Sequence, residues 1–107
     1  MAKKGKNPFD VEAGRRIRKA RGDRGWSQEE LAIESGWKHD RPVPRGAIHP
    51  SSVAMYERGE RRIPREIAET LSHIFGRPAA YWLGAIDDYE ADVLQALQRP
   101  RTAAGGR

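Results

Sequence analysis

Three histidines, fifteen carboxylates and no cysteine bound the chemistry open to this 107-residue chain. No nucleophile stands beside a base in a recognisable arrangement. His39, His49 and His73 fall in unrelated contexts, and most carboxylates sit at the starts of helical stretches, where capping accounts for them. The missing cysteine removes disulfides, thiolate catalysis and sulfur-ligated zinc. His39, Asp40 and His49 come closest to a metal-ligand set, but no outer partners accompany them, so neither a metal nor a cofactor is expected and the chain does not read as an enzyme. The abundant functional groups are cations. Lys38, His39, Arg41 and Arg45 crowd one short stretch, and Arg58, Arg61 and Arg62 another. Groups of this kind hold polyanions by Coulomb attraction and by releasing their counterions.

Charge is spread unevenly. Residues 1–65 carry 16 basic and 9 acidic groups (+7), residues 66–107 carry 4 and 6 (−2), and the whole chain carries +5. The positive potential therefore belongs to the first part of the chain, where it suits a phosphate-rich partner, though solubility alone also explains it. With 37% hydrophobic and 33% charged residues, the composition suits one small domain with a modest core. Met1 to Pro8 is not followed by an apolar run, and no stretch approaches the roughly 20 apolar residues that span a bilayer. The expected setting is a reducing cytoplasm, with the protein at the nucleoid.

The elements that position these cations follow from caps, breakers and apolar spacing. Residues 1–9 read as a flexible basic arm and 10–84 as the folded unit. Asp10 is placed to cap a first helix through Arg21, with Ala13, Ile17 and Ala20 inward and Gly22 and Gly25 ending it. Ser27 and Glu30 form a capping box that starts a second helix at Gln28, which buries Leu31 and Ala32 and stops at Gly36. Residues 37–47 hold two prolines and a glycine and form a loop, with Trp37 rooting it on the core. His49 precedes Pro50 at the cap of a third helix, which turns Val53 and Tyr56 inward and runs through Arg58 to a stop at Gly59. Pro64 starts a fourth helix with Ile67, Leu71, Ile74 and Phe75 in a stripe, ended by Gly76. Ala79 to Leu83 make a short fifth, closed by Gly84. Asp87 or Asp88 caps a sixth, within 85–98, whose Val93, Leu94 and Leu97 must pack on the domain or on a second copy. Residues 99–107 read as a disordered tail.

Residues 14–83 resemble the Cro and cI type helix-turn-helix family, also called the xenobiotic-response-element family. The likeness rests on Gly14-Arg15-Arg16-Ile17-Arg18 with Arg21, on Trp26-Ser27-Gln28-Glu29-Glu30-Leu31-Ala32 with Gly36, and on Val53 with Tyr56-Glu57-Arg58-Gly59. It implies an all-α fold, a five-helix lambda-repressor-like DNA-binding domain plus a short C-terminal helix, that binds double-stranded DNA as a homodimer. The activity implied is sequence-specific transcriptional regulation, as a phage or mobile-element repressor acting by promoter occlusion. An antitoxin, a regulator with a protein partner such as a toxin or antirepressor, and a protein-interaction module on the same fold are the other readings.

By the same likeness, Arg21 and Glu57 form a partly buried structural ion pair, and Gln28 meets a DNA phosphate at the start of the second helix. Ser52, Arg58, Arg61 and Arg62 are further phosphate contacts. His49, Pro50, Ser51, Ala54 and Met55 fall at or beside the base-facing positions. Here the chain departs from the family. Proline, alanine and methionine cannot make the bidentate contacts that discriminate bases by roughly 1–3 kcal/mol each. The turn between second and third helices, usually three or four residues, has grown into a loop. Its Lys38, His39, Arg41 and Arg45 are therefore expected to add DNA contacts that the helix lacks; a merely solvated loop is the alternative.

Overall fold

In the computed structural model, residues 6–98 are described; the tail expected at 99–107 and most of the arm expected at 1–9 lie outside them. Among the described residues there are six helices and no strand: α1 (Pro8–Asp23), α2 (Gln28–Glu34), α3 (Pro50–Glu57), α4 (Arg65–Phe75), α5 (Ala79–Trp82) and α6 (Asp88–Gln98). None is long and apolar enough to cross a membrane.

The first helix corrects the sequence reading at both ends. Asn7, not Asp10, is the cap, its side chain accepting from the Phe9 N–H at 2.8 Å with Pro8 as the first helical residue. Proline has no N–H to satisfy there and its φ is already helical. Asp10 falls in the first turn instead, where the helix dipole favours a carboxylate. Gly22 does not stop the helix, because a lone glycine costs only about 1 kcal/mol and the real exit is the left-handed Gly25, at φ 71°.

The other starts follow their caps. Glu30 N–H donates to Ser27 Oγ at 3.0 Å and Ser27 N–H to Glu30 Oε1 at 2.7 Å, both halves of a capping box. Asp87 and Glu90 repeat the pattern before α6 at 2.7 and 2.9 Å, so Asp87 rather than Asp88 is its cap. At α3 the cap is an imidazole, His49 Nδ1 accepting from the Ser51 N–H at 3.1 Å.

One apolar cluster joins the first five helices. Ile17, Leu31, Val53, Leu71 and Trp82 are its largest fully buried side chains, and Trp26 and Phe75 pack against its edge with ring centroids 5.9 Å apart. Arg16, which the sequence reading took only as part of a basic motif, is buried at 8% exposure. Its guanidinium lies 4.1 Å over the Tyr81 ring, binds Glu12 at 2.9 Å and donates to the carbonyls of Tyr81 and Ile86 at 2.8 and 2.7 Å. Those two carbonyls lie on α5 and on the approach to α6, so a single cation fastens three parts of the chain. Hydrogen bonds from Arg15 first, and then from Arg16, hold the Glu12 carboxyl below the usual carboxylate range against the opposing pull of partial burial.

The sixth helix meets the domain through a different face from the one the apolar stripe suggested. Ala91 is the residue it buries, Asp92 pairs with Arg77, and Gln95 donates to the Gly76 carbonyl at 3.0 Å. Val93 and Leu97 stay 40% and 76% exposed.

Candidate nucleic-acid interface

The third helix shows one side to the core and the other to solvent. Val53 and Tyr56 are buried; Ser51 is exposed, and Pro50, Ser52, Ala54 and Met55 are partly exposed. Burial pushes the Tyr56 phenol above its ordinary pKa, while the neighbouring Arg61 guanidinium opposes that rise.

Two close approaches fix where α3 lies. Gly14 of α1 sits against the end of α3 so tightly that a Cβ there would meet the Tyr56 carbonyl oxygen at 2.1 Å and that of Glu57 at 2.8 Å. Gly59, at φ 71°, turns the chain out of α3 in the left-handed region, and a Cβ on it would meet the Val11 backbone at 2.9 Å.

An ionic knot holds the same end of the helix. Arg21 binds Glu57 through Nε at 2.6 Å and Nη2 at 3.0 Å, and its Nη1 donates to the Trp26 carbonyl at 2.7 Å. The side chains are 17% and 4% exposed, and the bond to Glu57 raises the Arg21 pKa further. Gln28 Nε2 donates to Glu57 as well, at 3.1 Å, so one carboxylate ties α1, α2 and α3 together. An amide carries two N–H donors, so this bond leaves Gln28 capacity for a second acceptor.

The cations after α3 are exposed, and one of them folds back along it. Arg61 Nη1 donates to Ser52 Oγ at 3.2 Å, bringing two expected phosphate-binding residues together on the helix flank. Arg58 pairs with Glu60 at 3.0 Å, and Arg62 is exposed. Lys6 Nζ donates to the Arg58 carbonyl at 2.8 Å, which lays the start of the described chain across the end of α3. No sequence motif pointed to that contact, since a lysine in a segment without periodicity gives no clue to its partner.

The loop over residues 37–47 is fastened at both roots. Trp37, Ala47 and Ile48 are buried, the Ile48 N–H donates to Ser35 Oγ at 2.8 Å, and Thr70 Oγ1 of α4 donates to the Gly46 carbonyl at 2.7 Å. Residues 38–45 between them are exposed. The loop cations do not form one patch. His39 stacks edge-on against Trp37, centroids 4.4 Å apart, and Trp37 meets His49 at 5.5 Å, so the first part of the loop adjoins the start of α3. His39 Nε2 also reaches Glu29 at 2.7 Å, an acid partner on α2 that spacing alone did not suggest. Arg41 pairs with Asp40 at 3.3 Å, and Arg45 turns to Glu66 of α4 at 3.1 Å. Lys38 is exposed. His39 and His49 both meet Trp37 but bond to different groups, Glu29 and Ser51, and among the described residues no group of three or more His, Asp or Glu is placed to hold a metal ion.

Residues 12–80 match the model of a family described as a helix-turn-helix domain. No curated protein matches the chain. Among solved structures, a chain from a complex of SinR protein with SinI protein superposes with a TM-score of 0.52 at 21% identity, covering 86% of this chain and 84% of that one. At that identity the likeness is one of fold.

Proposed function

The chain belongs to the helix-turn-helix domain family and is a non-catalytic, DNA-binding domain of the transcriptional-regulator type, and from that premise we propose that it is a sequence-specific repressor that occludes a promoter in the cytoplasm, at the nucleoid, as a homodimer. The observation that carries this reading is the outer side of α3. The helix is locked from behind by Gly14 and by the Glu57 knot, while on its far side Ser51 is exposed and Ser52, Ala54 and Met55 are partly exposed. A rod of that kind, with cations at its flank, fits a major groove. Residues 10–84 are the DNA-binding unit on this reading, and 37–47 an insertion into its turn.

Roles divide by chemistry. Ser51 donates to a base edge or phosphate, and Ala54 and Met55 offer apolar contact to a thymine methyl, with His49 and Pro50 beside them at the helix start. Ser52, Arg58, Arg61 and Arg62 grip the backbone, and Gln28 adds a phosphate contact through its remaining N–H. Arg61→Ala is expected to weaken binding to a selected operator and to reduce the slope of log affinity against log salt by about 0.9, the value of one lost phosphate contact. An unchanged slope removes Arg61 from the backbone grip.

The loop contributes charge where the helix contributes little discrimination. Lys38, His39, Arg41 and Arg45 are proposed DNA contacts, with His39 nearest the start of α3 through Trp37. For Arg41→Ala with Arg45→Ala, the salt slope is expected to fall by up to about 2 and the sequence preference to broaden. If slope and preference both stay put, the loop is solvated and the weak base-reading surface of α3 stands alone.

A second reading, with a protein partner as well as DNA, is favoured by one observation: the apolar side of α6 faces away from the domain. The structural relative lies in a complex of SinR protein with SinI protein. An antitoxin or an antirepressor-bound regulator would use such a face.

A further inference from the structure

We propose that His49 selects guanine: the fold fixes its imidazole in the tautomer with the proton on Nε2, and that N–H is the one donor of set polarity at the start of α3. The inference rests on the DNA-binding reading above and adds to it the base that this end of the helix takes.

The tautomer follows from the cap. Pro50, the first residue of α3, brings no N–H, so the first main-chain donor of the helix is that of Ser51, which lies 3.1 Å from His49 Nδ1. A main-chain N–H can only donate. His49 Nδ1 is therefore a bare acceptor, the ring is neutral, and its proton sits on Nε2. The Ser51 hydroxyl, 2.9 Å from the same nitrogen, turns to donate or to accept and does not alter that assignment.

The outer nitrogen is left over. His49 is exposed, and among the described residues its Nε2 meets no acceptor. The other imidazole beside Trp37 differs on this point, because His39 commits its Nε2 to Glu29 at 2.7 Å. His49 is also held in place. The cap fastens one edge of its ring, and the buried Trp37 stands edge-on to it with centroids 5.5 Å apart and planes at 74°. A donor whose rotamer is already set loses less freedom on binding than a side chain that must first be ordered. Pro50, Ala54 and Met55 carry no side-chain N–H or O–H, and the hydroxyls of Ser51 and Ser52 rotate, so His49 alone presents fixed polarity there.

The major groove decides what such a donor meets. Guanine offers two neighbouring acceptors, N7 and O6. Adenine sets its N6 amino donor beside N7, thymine sets a methyl beside O4, and cytosine offers only its N4 amino donor. A lone N–H thus fits guanine best and cytosine worst. The cap position suits the task, since the first residues of a recognition helix are the ones that contact base edges.

Two measurements test this with the full-length chain at about pH 8, where an ordinary imidazole is neutral. In long-range nitrogen–proton NMR of the free protein, His49 is expected to carry its proton on Nε2 with Nδ1 bare; a proton on Nδ1 overturns the proposal without any DNA. In selected-oligonucleotide binding, the wild-type chain is expected to enrich guanine over cytosine by at least about fivefold at one position, the factor for a donor left unpaired. His49→Ser keeps an oxygen to cap the Ser51 N–H but removes the ring. It is expected to lose that preference and no other, with circular dichroism and salt slope unchanged, because a neutral donor displaces no counterion. Uniformly weaker binding with every preference retained would place His49 on the backbone and overturn its role as a base reader, as would a variant that selects the same sites as the wild type. In both cases the DNA reading stands. A wild-type chain that enriches no sequence sinks the sequence-specific reading, and the selection of guanine with it.

Discussion

Gly14→Ala is expected to lose about 3 kcal/mol or more of folding stability. The added carbon would lie 2.1 Å from the Tyr56 carbonyl oxygen and 2.9 Å from the Glu57 carbonyl carbon, both main-chain atoms at the end of α3. A side chain in the way can rotate; a helix terminus must move as a body. Moving it away from α1 stretches the bonds between Arg21 and Glu57, now 2.6 and 3.0 Å, and uncovers Val53 and Tyr56. Urea unfolding followed by circular dichroism measures the loss as a drop in midpoint. Gly22→Ala is the control: it lies in the same helix with nothing within 4 Å of the added carbon, and is expected to be neutral or slightly stabilising. Equal midpoints for the Gly14 and Gly22 variants would mean that α1 and α3 do not meet as closely as described.

The second large effect belongs to Glu57. Its side chain is 4% exposed and accepts from Arg21 and from Gln28, so Glu57→Ala strands a guanidinium and an amide at the junction of three helices. Removing one member of a buried pair costs on the order of 3–5 kcal/mol, and the partial exposure of Arg21, 17%, argues for the lower end. The same argument predicts compensation. Arg21→Met combined with Glu57→Leu removes both charges together and is expected to recover most of the loss, so a double-mutant cycle should give a coupling of about 2 kcal/mol or more. Simple additivity would show that the pair contributes little and that the geometry of α3 rests on packing alone.

Much of this architecture was legible in the sequence because its signals are local. Ser27 with Glu30 and the glycines at 25, 36, 59 and 76 announce the helix boundaries through rules that need only neighbours. The pairing of Arg21 with Glu57 spans 36 residues and came from family resemblance, since nothing local links the two. Misreadings arose where two local rules compete. Asn7 and Asp10 both make good caps, and the proline after Asn7 was the deciding signal; Gly22 and Gly25 both read as stops, and only the second adopts a positive φ. Long-range geometry was out of reach. Burial of Arg16 depends on where the Tyr81 and Ile86 carbonyls arrive, and the choice of Ala91 over Leu94 and Leu97 as the contact of α6 depends on the rotation of that helix against its domain. In the candidate interface, the side of α3 turned to solvent followed from the inward positions of Val53 and Tyr56. The partners of the loop cations, Glu29, Asp40 and Glu66, did not.

The double fastening of the segment between α2 and α3 separates two properties that a tight turn would couple. Because Trp37 and Ile48 are held by the core and Gly46 by Thr70, the spacing of the two helices is set at the roots, and the eight exposed positions between them are free of that duty. Closing a longer span costs only about 0.6 kcal/mol per doubling of length. Residues 38–45 thus form an exchangeable cassette, in which length and composition can drift over generations while the scaffold beneath keeps its shape.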